Sequence, residues 1–222
     1  MRRYKLGNWI AGAALVLMMA GLPYVYYRQS LSHVKRLRPI VAGKVYRSGC
    51  LTAEGFRDAI KKYNIKTVIN LQEEAQDPDL PTTYFNSRRV RESEVCRSLG
   101  ANLEFVFVDL VPAEQVGTQR PAGIDHFLQI MDNPANYPVL IHCKAGLHRT
   151  GVLSAVYRME YQRWQPLEAW HELRAHGFGE FVSDASNDYI SQYVLTYEPG
   201  RRANPQAGGA VVPTVLTGRA KP

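Results

Sequence analysis

From residue 9 to residue 27 the chain runs 19 positions without a charge, with Trp9 at one rim, Tyr24, Tyr26 and Tyr27 at the other, and Arg28 just beyond. That length crosses a bilayer core as a helix, and aromatic residues at both rims suit the interfaces. The pattern predicts an N-terminal transmembrane helix over 9–27, preceded by a basic N-terminus over 1–8. A cleaved signal peptide is the competing reading, although Met18-Met19-Ala20 lacks the small residue expected at the first position of a cleavage site. Downstream the period changes. Residues 44–49 and 66–71 read as strands, and Thr52 before the apolar-periodic run 54–60 predicts an N-capped helix. A helix over 88–99, ended by Gly100, precedes an alternating strand over 104–110. A helix over 122–131 leads to the apolar run 139–141, which reads as a buried strand. Helices over 152–161, 166–175 and 184–197 follow, with Gly177-Phe178-Gly179 breaking the last two apart. Strands alternating with helices, then helices alone, predict an α/β sandwich around a central, mostly parallel sheet flanked by helices. The expected organisation is a basic linker over 28–43, one domain over 44–198, and a Gly-, Pro-, Ala- and Arg-rich disordered tail over 199–222.

Composition changes one expectation. The net charge of +7 invites a nucleic-acid reading. Its distribution argues otherwise: residues 1–47 hold nine Lys or Arg and residues 201–222 hold four, with no acid in either stretch. Of 27 basic residues that leaves 14 against 20 acidic ones in 48–200, a net of −6. Basic ends beside an apolar segment suit a membrane surface better than a duplex, so a membrane is the expected partner and nucleic acid is not. Arg2, Arg3, Lys5 and the amino group face Arg28, Lys35, Arg36, Arg38 and Lys44 across the segment, and the slight excess on the domain side favours a cytoplasmic domain. Cys50, Cys96 and Cys143 are too few and too scattered for a disulfide framework or a zinc site. Oligomeric state is not legible.

The candidate chemistry lies in His142-Cys143-Lys144-Ala145-Gly146-Leu147-His148-Arg149-Thr150-Gly151. The preceding strand and following helix put Cys143 on a strand-to-helix turn, where unpartnered helix N–H groups converge on one spot. Gly146 lets the loop curl so that successive N–H groups face inward as an anion nest. Five residues separate Cys143 from Arg149, enough for one loop around a tetrahedral anion with Arg149 returning to grip two oxygens. The same groups favour thiolate over thiol, the nucleophilic form.

His-Cys-x-x-Gly-x-x-Arg-Thr-Gly resembles the signature loop of the cysteine-dependent protein tyrosine and dual-specificity phosphatases. The Tyr46-Arg47-Ser48-Gly49 opening, followed by a helix and Thr67-Val68-Ile69-Asn70-Leu71, is similar to that of their atypical dual-specificity members. Those relatives often have Arg where this chain has Gln72. The resemblance implies a protein tyrosine phosphatase-like sandwich over 44–198 as the catalytic domain. It implies Cys143 as nucleophile, Arg149 and the loop 144–149 as phosphate cradle, and Thr150 as the hydroxyl that stabilises the departing thiolate. No metal and no other cofactor is implied.

A leaving oxygen needs an acid, and hydrolysis of a phosphocysteine needs a base; one carboxyl can serve both steps. In the resembling families it is usually an Asp about 30 residues before the Cys. Asp109, 34 positions upstream, is the leading candidate, and Glu114, 29 upstream, is the alternative. Their loop does not match the familiar Trp-Pro-Asp form, and a strand-end carboxylate that caps a turn is the competing account of Asp109. Lys144-Ala145-Gly146 resembles the loop of phosphoinositide phosphatases, His148-Arg149-Thr150-Gly151 that of enzymes acting on inositol pyrophosphates and phosphotyrosine. Leu147 replaces a Lys common in both groups. The expected activity is phosphomonoester hydrolysis of phosphotyrosine, phosphoserine and phosphothreonine proteins. A phosphoinositide or inositol phosphate phosphatase, and a phosphate-binding module without turnover, remain alternatives.

Overall fold

The computed structural model describes residues 2–72, 77–83, 86, 88–108, 122–179 and 185–200. Asp109, Glu114 and the expected tail from residue 201 onward lie outside them. Helix α1, Arg2–Arg28, contains the 21-residue segment Gly7–Tyr27, with mean hydropathy 1.6 and none of its apolar window buried against protein. By length and composition it could cross a membrane. A π-helical turn, Gln29–His33, follows.

Beyond it five strands form one sheet: β1 Arg38–Val41, β2 Val45–Gly49, β3 Thr67–Asn70, β6 Asn102–Phe105 and β7 Val139–Cys143. Their order is β1-β2-β7-β3-β6, with β1 antiparallel to β2 and every other pair parallel. The mostly parallel sheet is therefore as expected. Arg38–Val41, which the hydropathy pattern leaves in the linker, adds an edge strand. Its Pro39 lacks a ladder donor, and an edge is where a strand tolerates that. A separate ribbon pairs β4 Asp79–Pro81 with β5 Arg89–Arg91. These residues take up the start of the expected 88–99 helix, so α3 covers only Glu92–Ser98. Strand β6 starts and ends upstream of the expected 104–110, because it is the parallel pairing with 67–70 that sets its register.

Alternation along the strands divides the core between two faces. Val45, Ile69, Val139, Ile141 and Cys143 join helices α4 Ala122–Asp132, α5 His148–Gln162, α6 Pro166–Ala175 and α7 Ala185–Leu195. Tyr46, Val68 and Leu140 face α2 Ala53–Tyr63 and α3. Thr52 caps α2, its Oγ1 accepting from Gly55 N at 3.1 Å. The run Thr150–Tyr157 is buried all round, which holds α5 against the sheet and places its first turn at the carboxyl end of the central strand.

Candidate active site

Strand β7 ends at Cys143, four residues form the turn, and α5 begins at His148. The strand-turn-helix expectation therefore holds, and the loop residues Lys144, Ala145, Gly146, Leu147 and His148 lie between Cys143 and Arg149. Gly146 adopts φ +75°, and its N–H donates to Cys143 Sγ at 3.2 Å. An inward N–H above a thiol at the head of a helix suits a bound oxyanion. Cys143 is 4% exposed. Burial pushes the Cys50 and Cys96 thiols up to about 12, so neither carries appreciable thiolate near neutral pH.

Arg149 Nη1 donates to Leu71 O at 2.8 Å, which ties the end of the loop to the residue after β3. Thr150 is fully buried in the first turn of α5, and its Oγ1 has no hydrogen-bond partner among the described residues. That leaves a hydroxyl donor available one turn from the loop. Lys144 is exposed. The ring of His148 meets Phe178 edge-on at 5.4 Å between centroids. Phe178 is buried between Gly177 and Gly179, both at positive φ, so the segment that reads only as a helix breaker also braces the loop.

Two supports were not legible in the sequence. Glu92, the first residue of α3, accepts from His142 Nε2 at 2.8 Å through Oε1 and from Asn70 Nδ2 at 3.1 Å through Oε2. Glu92 and His142 side chains are both fully buried, and a carboxylate so placed is tolerated because both oxygens are bonded. It fixes the residue before Cys143 from 50 positions away, a distance no motif spans. Arg47, 2% exposed, donates from Nη2 to Gly146 O at 3.0 Å. Burial first, then Arg38, lowers its pKa to about 10, so it stays cationic at neutral pH beneath the loop. In sequence Arg47 stands out as a charged residue inside an otherwise strand-like run and as part of the Tyr46-Arg47-Ser48-Gly49 opening, but neither shows that it reaches the Gly146 carbonyl.

Behind Arg47, Arg38 Nη1 contacts His176 Nδ1 at 2.9 Å. A guanidinium can only donate, so Nδ1 accepts and the imidazole is neutral. Burial, then Arg38 and Arg47, pushes His176 down to about 4, against the weaker opposite pull of Glu172. The unfolded imidazole takes its proton near 6.5 and the folded one only near 4. Between those values the unfolded chain binds more protons, so this contribution to stability is complete above pH 6.5 and fades as pH falls toward 4. We expect the denaturant midpoint to drop over that window and His176→Gln to flatten the drop. An unchanged slope in the variant would reject the assignment.

The sequence model of the tyrosine phosphatase family matches residues 36–202. Dual specificity protein phosphatase TpbA of Pseudomonas aeruginosa is 46% identical over 43 residues, 19% of this chain and 20% of that protein. Inositol diphosphatase SIW14 of Saccharomyces cerevisiae is 29% identical over 147 residues, 62% of this chain and 44% of that protein. Both matches span less than half the length of the relative. Among solved structures, the core catalytic domain of SIW14 has a TM-score of 0.54 at 23% identity, covering 74% of this chain and 86% of its own. TpbA also gives a TM-score of 0.54, at 21% identity, with the same 74% and 86%. At these identities the likeness is one of fold.

Proposed function

The chain belongs to the tyrosine phosphatase family, and from that premise we propose that it is a membrane-anchored phosphomonoester hydrolase working through a phosphocysteine at Cys143. The observation that carries the reading is the Gly146 N–H on Cys143 Sγ at 3.2 Å, at the head of a helix whose first turn bears Arg149. The Cys143 thiolate attacks phosphorus, the S–P bond forms and the P–O bond to the leaving group breaks. Arg149 and the N–H groups of the loop 144–149 carry the charge spread over the equatorial oxygens. The departing oxygen takes a proton from Asp109, with Glu114 as the alternative acid. The resulting carboxylate then takes a proton from water, whose oxygen attacks phosphorus, and the S–P bond breaks to give inorganic phosphate. Thr150 donates its idle hydroxyl to the departing thiolate. Helix α1 is the anchor.

Phosphotyrosine, phosphoserine and phosphothreonine proteins are the first substrate reading, supported by the likeness of the signature loop to dual-specificity phosphatases. The exposed Lys144 and the 147-residue likeness to an inositol diphosphatase favour a second, an inositol phosphate or phosphoinositide. Phosphate release from an aryl phosphate tests the reaction class, and the same assay on a phosphotyrosine peptide, phosphoinositide vesicles and inositol phosphates ranks the substrates. No release from any of them by the full chain would leave only a binding module. Asp109→Asn should slow an alkyl phosphate, whose leaving oxygen needs a proton, by about 10²-fold and an aryl phosphate far less. Equal losses, or a loss confined to Glu114→Gln, would move the acid elsewhere.

A further inference from the structure

Three consecutive carbonyls of the loop each meet a cation. Lys35 Nζ donates to Lys144 O at 2.7 Å, Arg36 Nη1 to Ala145 O at 3.0 Å, and Arg47 Nη2 to Gly146 O at 3.0 Å. A trans peptide unit is planar, so the carbonyl of one residue and the N–H of the next point opposite ways. Holding these carbonyls outward aims the N–H groups of Ala145, Gly146 and Leu147 inward. The middle unit shows both ends of this: its oxygen is held by Arg36, and its N–H lies 3.2 Å from Cys143 Sγ. A charged donor on the carbonyl also polarises the unit and strengthens the N–H on its far side.

Arg47 belongs to the sheet. Lys35 and Arg36 belong to the short segment between the membrane helix and β1, and that segment is docked along its length. The His33 carbonyl lies where Gly55 has no side chain, since a Cβ there would approach it to 2.2 Å. His33 Nε2 meets Asp58 Oδ2 at 3.0 Å, and Lys35 O accepts from Gly49 N at 2.8 Å. The Lys35 stem crosses bare Gly49, where a Cβ would lie 2.8 Å from its Cδ. Arg36 holds φ +52°, a left-handed conformation that Gly adopts freely and a side chain with a Cβ disfavours. Among the described residues its guanidinium bonds the loop carbonyl and no carboxylate.

We propose that Lys35 and Arg36 are positioning residues of the phosphate loop, a membrane-proximal strap that sets the direction of its inward N–H groups. The inference rests on the reading that this loop binds phosphate. Lys35 lies seven positions beyond Arg28, the last residue of α1, so the strap's hold on the loop is within ~25 Å of chain from the anchor.

The test uses the full chain in phospholipid vesicles and titrates inorganic tungstate, a tetrahedral oxyanion, by calorimetry alongside aryl phosphate turnover. Arg36→Gly removes the guanidinium and suits the left-handed backbone, so its thermal midpoint should hold or rise while tungstate affinity falls about fivefold or more. Lys35→Met keeps the stem over Gly49 and should lose affinity similarly, and Lys35→Arg should recover to within twofold of wild type. Unchanged affinity in both Arg36→Gly and Lys35→Met would overturn the proposal. So would affinity that falls only in step with the thermal midpoint, or a wild type that binds no tungstate. A wild type that binds tungstate without releasing phosphate would reject the hydrolase reading alone, and the affinity ratios would still decide the strap.

Discussion

Cys143→Ser will lower phosphate release from an aryl phosphate by about 10⁴-fold or more, the scale of loss when an activated nucleophile is removed. No other thiol can stand in, because burial holds Cys50 and Cys96 near 12 and so protonated at neutral pH. A serine hydroxyl at 143 would receive the same Gly146 N–H and would still not ionise appreciably. The substitution removes no large side chain, and the surrounding core of Ile141 and Val152 stays filled, so the denaturant midpoint should move little. Oxyanion affinity should survive, since the loop amides and Arg149 remain. The pair of measurements separates the readings: lost turnover with retained tungstate binding is the signature of a nucleophile. Equal turnover in wild type and variant would sink the catalytic assignment.

Gly146→Ala will cost about 10³-fold in kcat/KM and about 2–4 kcal/mol of stability, the second through strain and the first through misdirected donors. A Cβ at 146 would stand 2.5 Å from Gly49 N and 2.7 Å from the Ser48 carbonyl. Those atoms are backbone of β2, pinned by pairing with β7, and cannot swing aside as a side-chain tip could. The loop itself would have to move, taking the N–H off Cys143 and the carbonyl off Arg47. Gly43 supplies the control, because it also sits at φ +75° yet has nothing within 4 Å of its would-be Cβ. Gly43→Ala should therefore cost only about 1 kcal/mol and leave turnover intact. Similar losses in the two variants would mean that backbone conformation, not the close approach to β2, governs Gly146.

How much of this was legible depended on range. Thr52 as a cap, Pro166 at a helix start and the apolar run into Cys143 are local signals, and the elements they predict are present. The edge strand at Arg38–Val41 was not legible, because four residues with a Pro and a terminal Arg look like linker until β2 offers them a partner. The same limit applied to β6, whose ends follow from pairing rather than from its own alternation. At the site, Glu92 reads as an ordinary acid in the first turn of a helix. Its burial against His142 is a property of how α3 packs on the sheet. Lys35 and Arg36 read as solvated linker charge, and only docking of that segment shows where their side chains end.

The sequence by itself determined the frame of the candidate site. A Cys, an Arg six positions on, a Gly between them and a helix to follow are all set by covalent spacing and backbone preference, which need no tertiary partner. It also determined the 19-residue uncharged run, since length and hydropathy are counted along the chain. Tertiary structure decided what holds that loop in shape. Its three outward carbonyls meet cations from 99 to 109 positions away, and its His142 meets a carboxylate 50 away. Those donors and acceptors gain partners only when folding removes water from both sides. A hydrogen bond between remote residues leaves no periodicity or spacing in the chain, so only the packed molecule displays it.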